Sequence, residues 1–403
     1  MDWKTAELIN AEERDSNHFA NPEYVIPAEW IQVHYYEAAN ILFRFENSFR
    51  VFVYSILKMQ FGKDWANTKV NENQTLNQVY KARSALDNKH GYLGQSVSSP
   101  MLYLNSGELT YIIDSETLWT HFKPYFKADR SVIVNKLHEI NSIRNSFAHF
   151  RPVSENDLTL LKLNISHIFY SAVDYFENLY NQFTEVPSNL NEKWYQELKA
   201  HNTENTTLTF NRSKNDKWVT LRLTLSLPLL NTIVATRSHH NIRTMQLRLD
   251  RLLKQFKDLV SITTFITDGR YVLKAKPPSF PINQKSLSHS VNFTFSRSTI
   301  NRESELIVGK IKQIIETLES DIEIIRQDTR AEGGLLAPLS FFVHDIDGDI
   351  SVKAFHSSYN NIADDAGVVE YWGKTVGTFM DPVSDISNIP WIKGLISNCN
   401  TSF

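Results

Sequence analysis

Apolar residues recur at helical spacing through the first half of the chain. Between 35 and 61, Ala39, Leu42, Phe45, Phe49, Phe52, Val53, Ile56 and Leu57 share one side of a 3.6-residue turn, and Gly62 stands where the run should stop. The polar exceptions, Glu46 and Arg50, are four apart, so they face each other on that helix. Residues 74–88 predict a shorter polar helix, and the Gly/Ser/Pro stretch 91–100 a loop. A third helix is predicted over 131–150, with Val132, Ile133, Leu137, Ile140, Ile143 and Phe147 as its apolar stripe, and a fourth from Asp157 to about Phe183.

Past 186 the periodicity changes. Residues 186–216 are rich in Asn, Thr, Lys and Ser, with Pro187 near the start, which reads as a linker or long loop. Trp218 to Leu227 alternates, Leu221, Leu223, Leu225 and Leu227 against Arg222, Thr224 and Ser226, and so predicts a strand. Residues 241–259 return to helical spacing through Ile242, Met245, Leu249, Leu252, Leu253 and Phe256. Strands over 261–266 and 270–274 follow, joined as a hairpin at Asp268-Gly269, a dipeptide that accepts the backbone of a tight turn. The same order recurs with a strand at 289–295, a helix at 304–326 and a hairpin, 339–344 with 349–355, around Asp347-Gly348. Residue identity partly recurs too, in Asp268-Gly269-Arg270-Tyr271-Val272-Leu273-Lys274-Ala275 against Asp347-Gly348-Asp349-Ile350-Ser351-Val352-Lys353-Ala354. The expected fold is therefore α+β: an all-α domain over 1–185, a linker over 186–216, and an α+β domain over 217–403. The last would be built from a tandem β-α-β-β repeat with halves near 217–280 and 288–360.

Composition adds little until it is divided by position. The whole chain carries a net −3, yet residues 201–300 hold 15 Lys and Arg against 5 Asp and Glu, and residues 301–403 hold 8 against 16. A basic middle of this kind could attract a polyanion, or it could pair with the acidic end inside the fold. With 42% hydrophobic residues the chain has enough apolar surface to bury cores. Cys399 is the single cysteine, so no intrachain disulfide forms and a reducing compartment is expected. The first fifteen residues lack the basic-then-apolar build of a signal peptide, and no apolar run approaches the ~20 residues that cross a bilayer. The expectation is a cytoplasmic protein without a membrane partner.

Chemistry gathers at Arg144-Asn145-Ser146-Phe147-Ala148-His149, at the end of the third helix and just before Pro152. A neutral-range imidazole moves protons on the ribose 2′-OH or the leaving 5′-oxygen, and a guanidinium fork holds two phosphate oxygens. Asn145 is suited to orient phosphate or imidazole, and none of these steps needs a metal. Asn145 and His149 are four apart and share a helix face, whereas Arg144 and His149 point ~140° apart. They converge if Arg144 reaches around, if the helix loosens before Pro152, or if a second copy of the helix completes the site. The residues alone also fit an Arg in a salt bridge and a His on the surface.

The string, preceded by Leu137-His138-Glu139-Ile140-Asn141, resembles the Arg-x(4 to 6)-His motif of HEPN domains, and Phe45-Glu46-Asn47-Ser48-Phe49-Arg50 with Phe61-Gly62-Lys63-Asp64-Trp65 is similar to the first long helix of one HEPN subgroup. The similarity runs from about 30 to 180. It implies an all-α bundle that dimerises so that two motifs face one cleft. It implies a metal-independent endoribonuclease that leaves 2′,3′-cyclic phosphate and 5′-OH ends, in antiviral defence (abortive infection) or a toxin-antitoxin system, with RNA as substrate and no cofactor. Arg144 and His149 would be catalytic, Asn145 their polar support, and Glu46 a holder for Arg144. A neutralising or trigger partner would meet the C-terminal domain. The alternative is a non-catalytic RNA-binding or protein-interaction scaffold.

Other signals point elsewhere. Arg243, Arg248, Arg251, Lys254 and Lys257 would form a basic helix face, solvated or in contact with RNA or a partner. Asp345, Asp347 and Asp349 read as a charged hairpin tip rather than a calcium loop, and His239-His240 lacks ligands at zinc spacing. No Gly-rich phosphate loop occurs.

Overall fold

The computed structural model describes residues 7–9, 23–25, 33–90, 99–170, 172–236, 239–269, 272–274, 286–346, 349–351, 368–374 and 390–391. Within it the chain forms two compact units, each assembled from separate segments. One takes Met1–Ile56, Asn67–Glu177 and Phe379–Phe403, the other Leu57–Ala66 and Asn178–Thr378.

The first unit is mostly helical. A strand pair, β1 (Glu7–Ile9) with β2 (Glu23–Val25), departs from the expected all-α composition. Then come α1 (Val33–Phe61), α2 (Leu76–His90), α3 (Ser106–Asp114), α4 (Glu116–Phe122), α5 (Arg130–Ala148), α6 (Glu155–Phe169) and α7 (Ala172–Tyr180). The run predicted from Asp157 to Phe183 is thus two helices, and α3 and α4 are additional. Propensity alone does not hold a helix in water; an apolar face against neighbours does. For α1 that face is Leu42, Phe45, Phe49, Phe52, Val53 and Ile56, all buried. The Phe52 ring meets those of Phe122, Tyr125, Phe126, Tyr175 and Phe176 at centroid distances of 5.2–6.0 Å. Burying one such ring is worth about 1.5–3 kcal/mol, far more than any difference in propensity along the helix. Gly62, at φ 55°, takes the left-handed turn that ends α1.

Helix starts are set by side-chain caps. Thr75 and Gln78 bond each other's backbone N–H groups before α2, Asn105 and Glu108 do so before α3, and Ser154 and Asp157 before α6. α5 is locked to its neighbours by polar contacts as well as its apolar stripe. Asn141 Nδ2 donates to Thr110 Oγ1 at 2.9 Å, and the buried Asn164 donates to Glu139 Oε2 at 2.6 Å while accepting from Lys136 at 3.3 Å.

The second unit is α+β. In chain order it adds β3 (Thr184–Glu185), α8 (Lys193–Leu198), β4 (Thr206–Arg212), β5 (Trp218–Pro228), β6 (Asn231–Thr236), β7 (His239–Leu247), α9 (Leu249–Gln255) and α10 (Lys257–Ile262). It continues with β8 (Phe265–Asp268), β9 (Val272–Lys274), β10 (Ser286–Ser296), α11 (Arg297–Arg302), α12 (Ser304–Gln327), β11 (Leu336–Ile346), β12 (Asp349–Ser351) and β13 (Tyr371–Lys374). One sheet has the order β13-β8-β10-β5-β4-β3, with β9 also on β10; the other has β12-β11-β7-β6. The inward leucines of β5 and the face of α12 formed by Ile307, Ile311, Ile314, Leu318, Ile322 and Ile325 belong to one apolar core.

Four expectations change here. The stretch 186–216 is not a linker: β4 alternates buried Leu208 and Phe210 with exposed Thr207 and Thr209, and α8 buries Trp194, Tyr195 and Leu198. The helix expected over 241–259 starts only at Leu249, because β7 lies between β6 and β11 and gains hydrogen bonds on both edges. Asp268-Gly269 is not a hairpin turn: β8 and β9 both pair with β10 rather than with each other, and the Gly269 N–H bonds Ser290 O at 2.7 Å. A Cβ at Gly269 would lie 2.5 Å from Ser290 Oγ, so a side chain there requires that hydroxyl to turn aside. β11 and β12 do form the second hairpin, with Ile346 opposite Asp349, although Asp347-Gly348 itself lies outside the described residues, as do 352–355, Tyr271 and Cys399. Finally, the halves do not repeat as expected. β8 and β9 lie in the same sheet as β5, whereas β11 and β12 lie in a different sheet from β10.

Candidate functional site

The end of α5 lies against α1 within the first unit. Tyr35 stacks on Phe147, with centroids 4.4 Å apart and planes at 29°, and its hydroxyl donates to Phe147 O at 3.3 Å. Ile140 and Ile143 face the core beside them, which turns Arg144 toward α1. There Glu46 Oε2 lies 3.8 Å from Arg144 Nε, and Glu46 also pairs with Arg50.

Glu46 therefore stands between two guanidiniums. Arg50 is the buried one; it donates to Asn47 Oδ1 at 2.9 Å and to Leu104 O at 3.0 Å. Burial lowers its pKa, Glu46 opposes that shift, and the positive charge of Arg144 adds to it. Arg144 is one-third exposed, and among the described residues no hydrogen bond occupies its terminal nitrogens. A cation held at its Nε edge with its fork open has the form that grips two oxygens of a phosphate.

Asn145 and His149 face outward, both exposed. His149 caps the helix, its backbone N–H bonding Asn145 O at 3.2 Å, and among the described residues its imidazole has no side-chain partner. The chain then turns through Phe150 at φ 56°. Phe150 N–H bonds Phe147 O at 2.9 Å and Arg151 N–H bonds Ser146 O at 3.0 Å, the paired closure of a Schellman motif. So α5 stays regular to its last turn and does not loosen before Pro152. Arg144 reaches to Glu46, away from His149, and no contact joins the two within one chain.

Sequence spacing could not show the Tyr35–Phe147 stack, the carbonyl of Leu104 or the left-handed Phe150; Pro152 was the one local hint of a helix end.

The five basic candidates of the second unit do not share a helix face. Arg243 is on β7, and Arg248 precedes α9 and binds Asp250 at 3.2 Å. Arg251 donates to Gly333 O at 3.0 Å and Glu332 at 2.7 Å, and holds that carboxyl below its usual range. Only Lys254 and Lys257 are exposed and, among the described residues, unpaired. Part of the basic middle is thus neutralised by the acidic end. No three His, Cys, Asp or Glu among the described residues are grouped to hold a metal ion, and no helix among them is long and apolar enough to cross a membrane. No family model, curated protein or solved structure matches the chain.

Proposed function

We propose that this protein is a metal-independent endoribonuclease of the HEPN type. It acts as a homodimer through its helical unit, in the cytoplasm, in antiviral defence or a toxin-antitoxin system. The observation that carries this reading is the end of α5: a guanidinium paired with Glu46 at 3.8 Å with its fork open and, further along, an exposed imidazole that has no partner among the described residues. Arg144 holds the scissile phosphate and offsets the charge that builds on it. His149 takes the 2′-OH proton or returns one to the leaving 5′-oxygen, leaving a 2′,3′-cyclic phosphate and a 5′-OH. Asn145 orients one of these groups, and the second unit meets the trigger or neutralising partner.

The test is cleavage of total cellular RNA in EDTA with end mapping. Arg144→Ala and His149→Ala should each lower the rate by at least about a hundredfold with fold and oligomeric state intact. Wild-type rates in both variants would sink the mechanism. One observation favours a second reading, a non-catalytic RNA-binding or interaction scaffold: Arg144 and His149 do not meet within one chain. Steeply salt-dependent binding without product would select it.

A further inference from the structure

The second unit contains a cavity that the proposed RNA chemistry does not use. Its volume is 330 Å³, near the small end of the roughly 300–1,000 Å³ range of ligand pockets. Three segments of that unit meet around it: the turn after α1, the end of α10, and the passage from α11 into α12. Phe61, Ile262 and Leu306 give the cavity an apolar side. The other lining groups include charges of both signs, Lys63 and Arg302 against Asp64, Asp258 and Glu303.

These groups are held in place by contacts around the cavity. The position of a Cβ on Gly62 is 3.6 Å from Arg302 Nη2, which sets that guanidinium against the turn after α1. Arg302 donates from Nε to Glu303 at 2.9 Å, and among the described residues no hydrogen bond occupies its terminal nitrogens. Glu303 places its carboxylate there and does not cap α12. Behind the cavity, the buried Lys58 donates to Ser261 O at 2.7 Å and pairs with Glu370, so the end of α10 is tied to the last turn of α1. On the acidic side, Asp258 lies 3.9 Å from Lys310 Nζ, beyond hydrogen-bond reach, and Asp64 has no partner among the described residues.

The mixture of charges selects the class of ligand. A polyphosphate would meet three carboxylates here, and a simple cation would meet Arg302 and Lys63. No three His, Cys, Asp or Glu among the described residues are grouped to hold a metal ion. A small molecule with both signs at one end and hydrocarbon at the other satisfies every wall. Its carboxylate takes the open fork of Arg302, its ammonium takes Asp64 and Asp258, and its apolar chain takes Phe61, Ile262 and Leu306. We infer that the second unit binds a free α-amino acid with an apolar side chain in this cavity. Such binding is independent of the nuclease reading and is measured without RNA.

The test is calorimetric titration of the full chain with leucine, isoleucine, methionine and phenylalanine, and with alanine, N-acetyl-leucine and leucinamide as probes of each wall. At least one of the first four should bind at a single site per chain and raise the melting temperature when present at about 10 mM. Alanine should bind at least about tenfold more weakly than the best of them, because it buries less hydrocarbon. N-acetyl-leucine and leucinamide should each bind at least about tenfold more weakly than leucine, because each leaves one charged wall without its partner. Arg302 is half exposed, so Arg302→Gln should leave the ligand-free melting temperature unchanged while weakening the best ligand at least about tenfold. Leu306→Trp, which fills the cavity, should abolish binding. No binding by any of the first four at about 10 mM, equal affinity for leucine and N-acetyl-leucine, or wild-type affinity in Arg302→Gln would each overturn the site. A chain that binds the amino acid and cuts no RNA keeps the site and loses the nuclease reading; one that cuts RNA and binds none of the four does the reverse.

Discussion

Glu46 is asked to do two things at once, and they differ in energetic weight. It neutralises Arg50, which is 11% exposed, and it anchors Arg144, which is 33% exposed. Removing the partner of a buried charge leaves that charge uncompensated, at a cost of about 3–5 kcal/mol, whereas an ion pair as open as Arg144's is worth about 0–1 kcal/mol. Glu46→Gln should therefore cost roughly 3 kcal/mol in urea unfolding, because it also leaves Arg50 and Arg144 to repel each other. Adding Arg50→Met should recover part of that loss. A change under about 0.5 kcal/mol in the single variant would mean the Asn47 and Leu104 contacts already suffice for Arg50. Arg144→Ala should barely alter stability, which makes it the cleaner probe of chemistry; Glu46→Gln would confound position with folding.

At the scale of elements, the turn that presents His149 is fixed on its far side by the start of α6. Ser154 donates from both Oγ and N to the Asp157 carboxylate, at 2.7 and 2.9 Å. These bonds lower the Asp157 pKa below its ordinary 3.8. A carboxyl with a depressed folded pKa contributes its stability above the ordinary value and loses it as pH falls through the folded one. The Asp157 carboxyl should thus titrate below 3.8 by NMR, with the first turn of α6 losing amide protection over the same range. Ser154→Ala should return the midpoint toward 3.8, and a wild-type midpoint at or above that value would contradict the cap. Local signals of this kind, with the apolar stripes of α1 and α5, were legible because helices are made of contacts a few residues apart. Strands were harder. β4 reads as a polar loop because its outward positions are Thr, although its partner is the neighbouring β5, and β7 reads as helix because Met245 and Leu249 happen to be four apart, while its deciding hydrogen bonds come from the distant β11. Asp268-Gly269 carries hairpin chemistry, yet β10 captures both flanking segments.

For the whole molecule, the proposed nuclease chemistry requires a guanidinium directed at α1 and an imidazole directed at solvent to act on one phosphate. Helical spacing already separated them, and the regular Schellman end of α5 leaves them separated. A symmetric dimer would meet this requirement if Arg144 of one protomer and His149 of the other came together across its two-fold axis. Two heterodimers, each purified through a different tag on each protomer, give opposite forecasts. In the first, one protomer carries Arg144→Ala and the other His149→Ala. A composite site then keeps one of two centres intact and should retain about half the wild-type rate, whereas a site within each chain should be dead. In the second, one protomer carries both substitutions and its partner is wild type. Here a composite site loses both centres, and a site within each chain keeps about half. Activity only in the second heterodimer would remove the composite site. Activity only in the first would explain why neither residue touches the other within one chain: each would complete the centre of its partner.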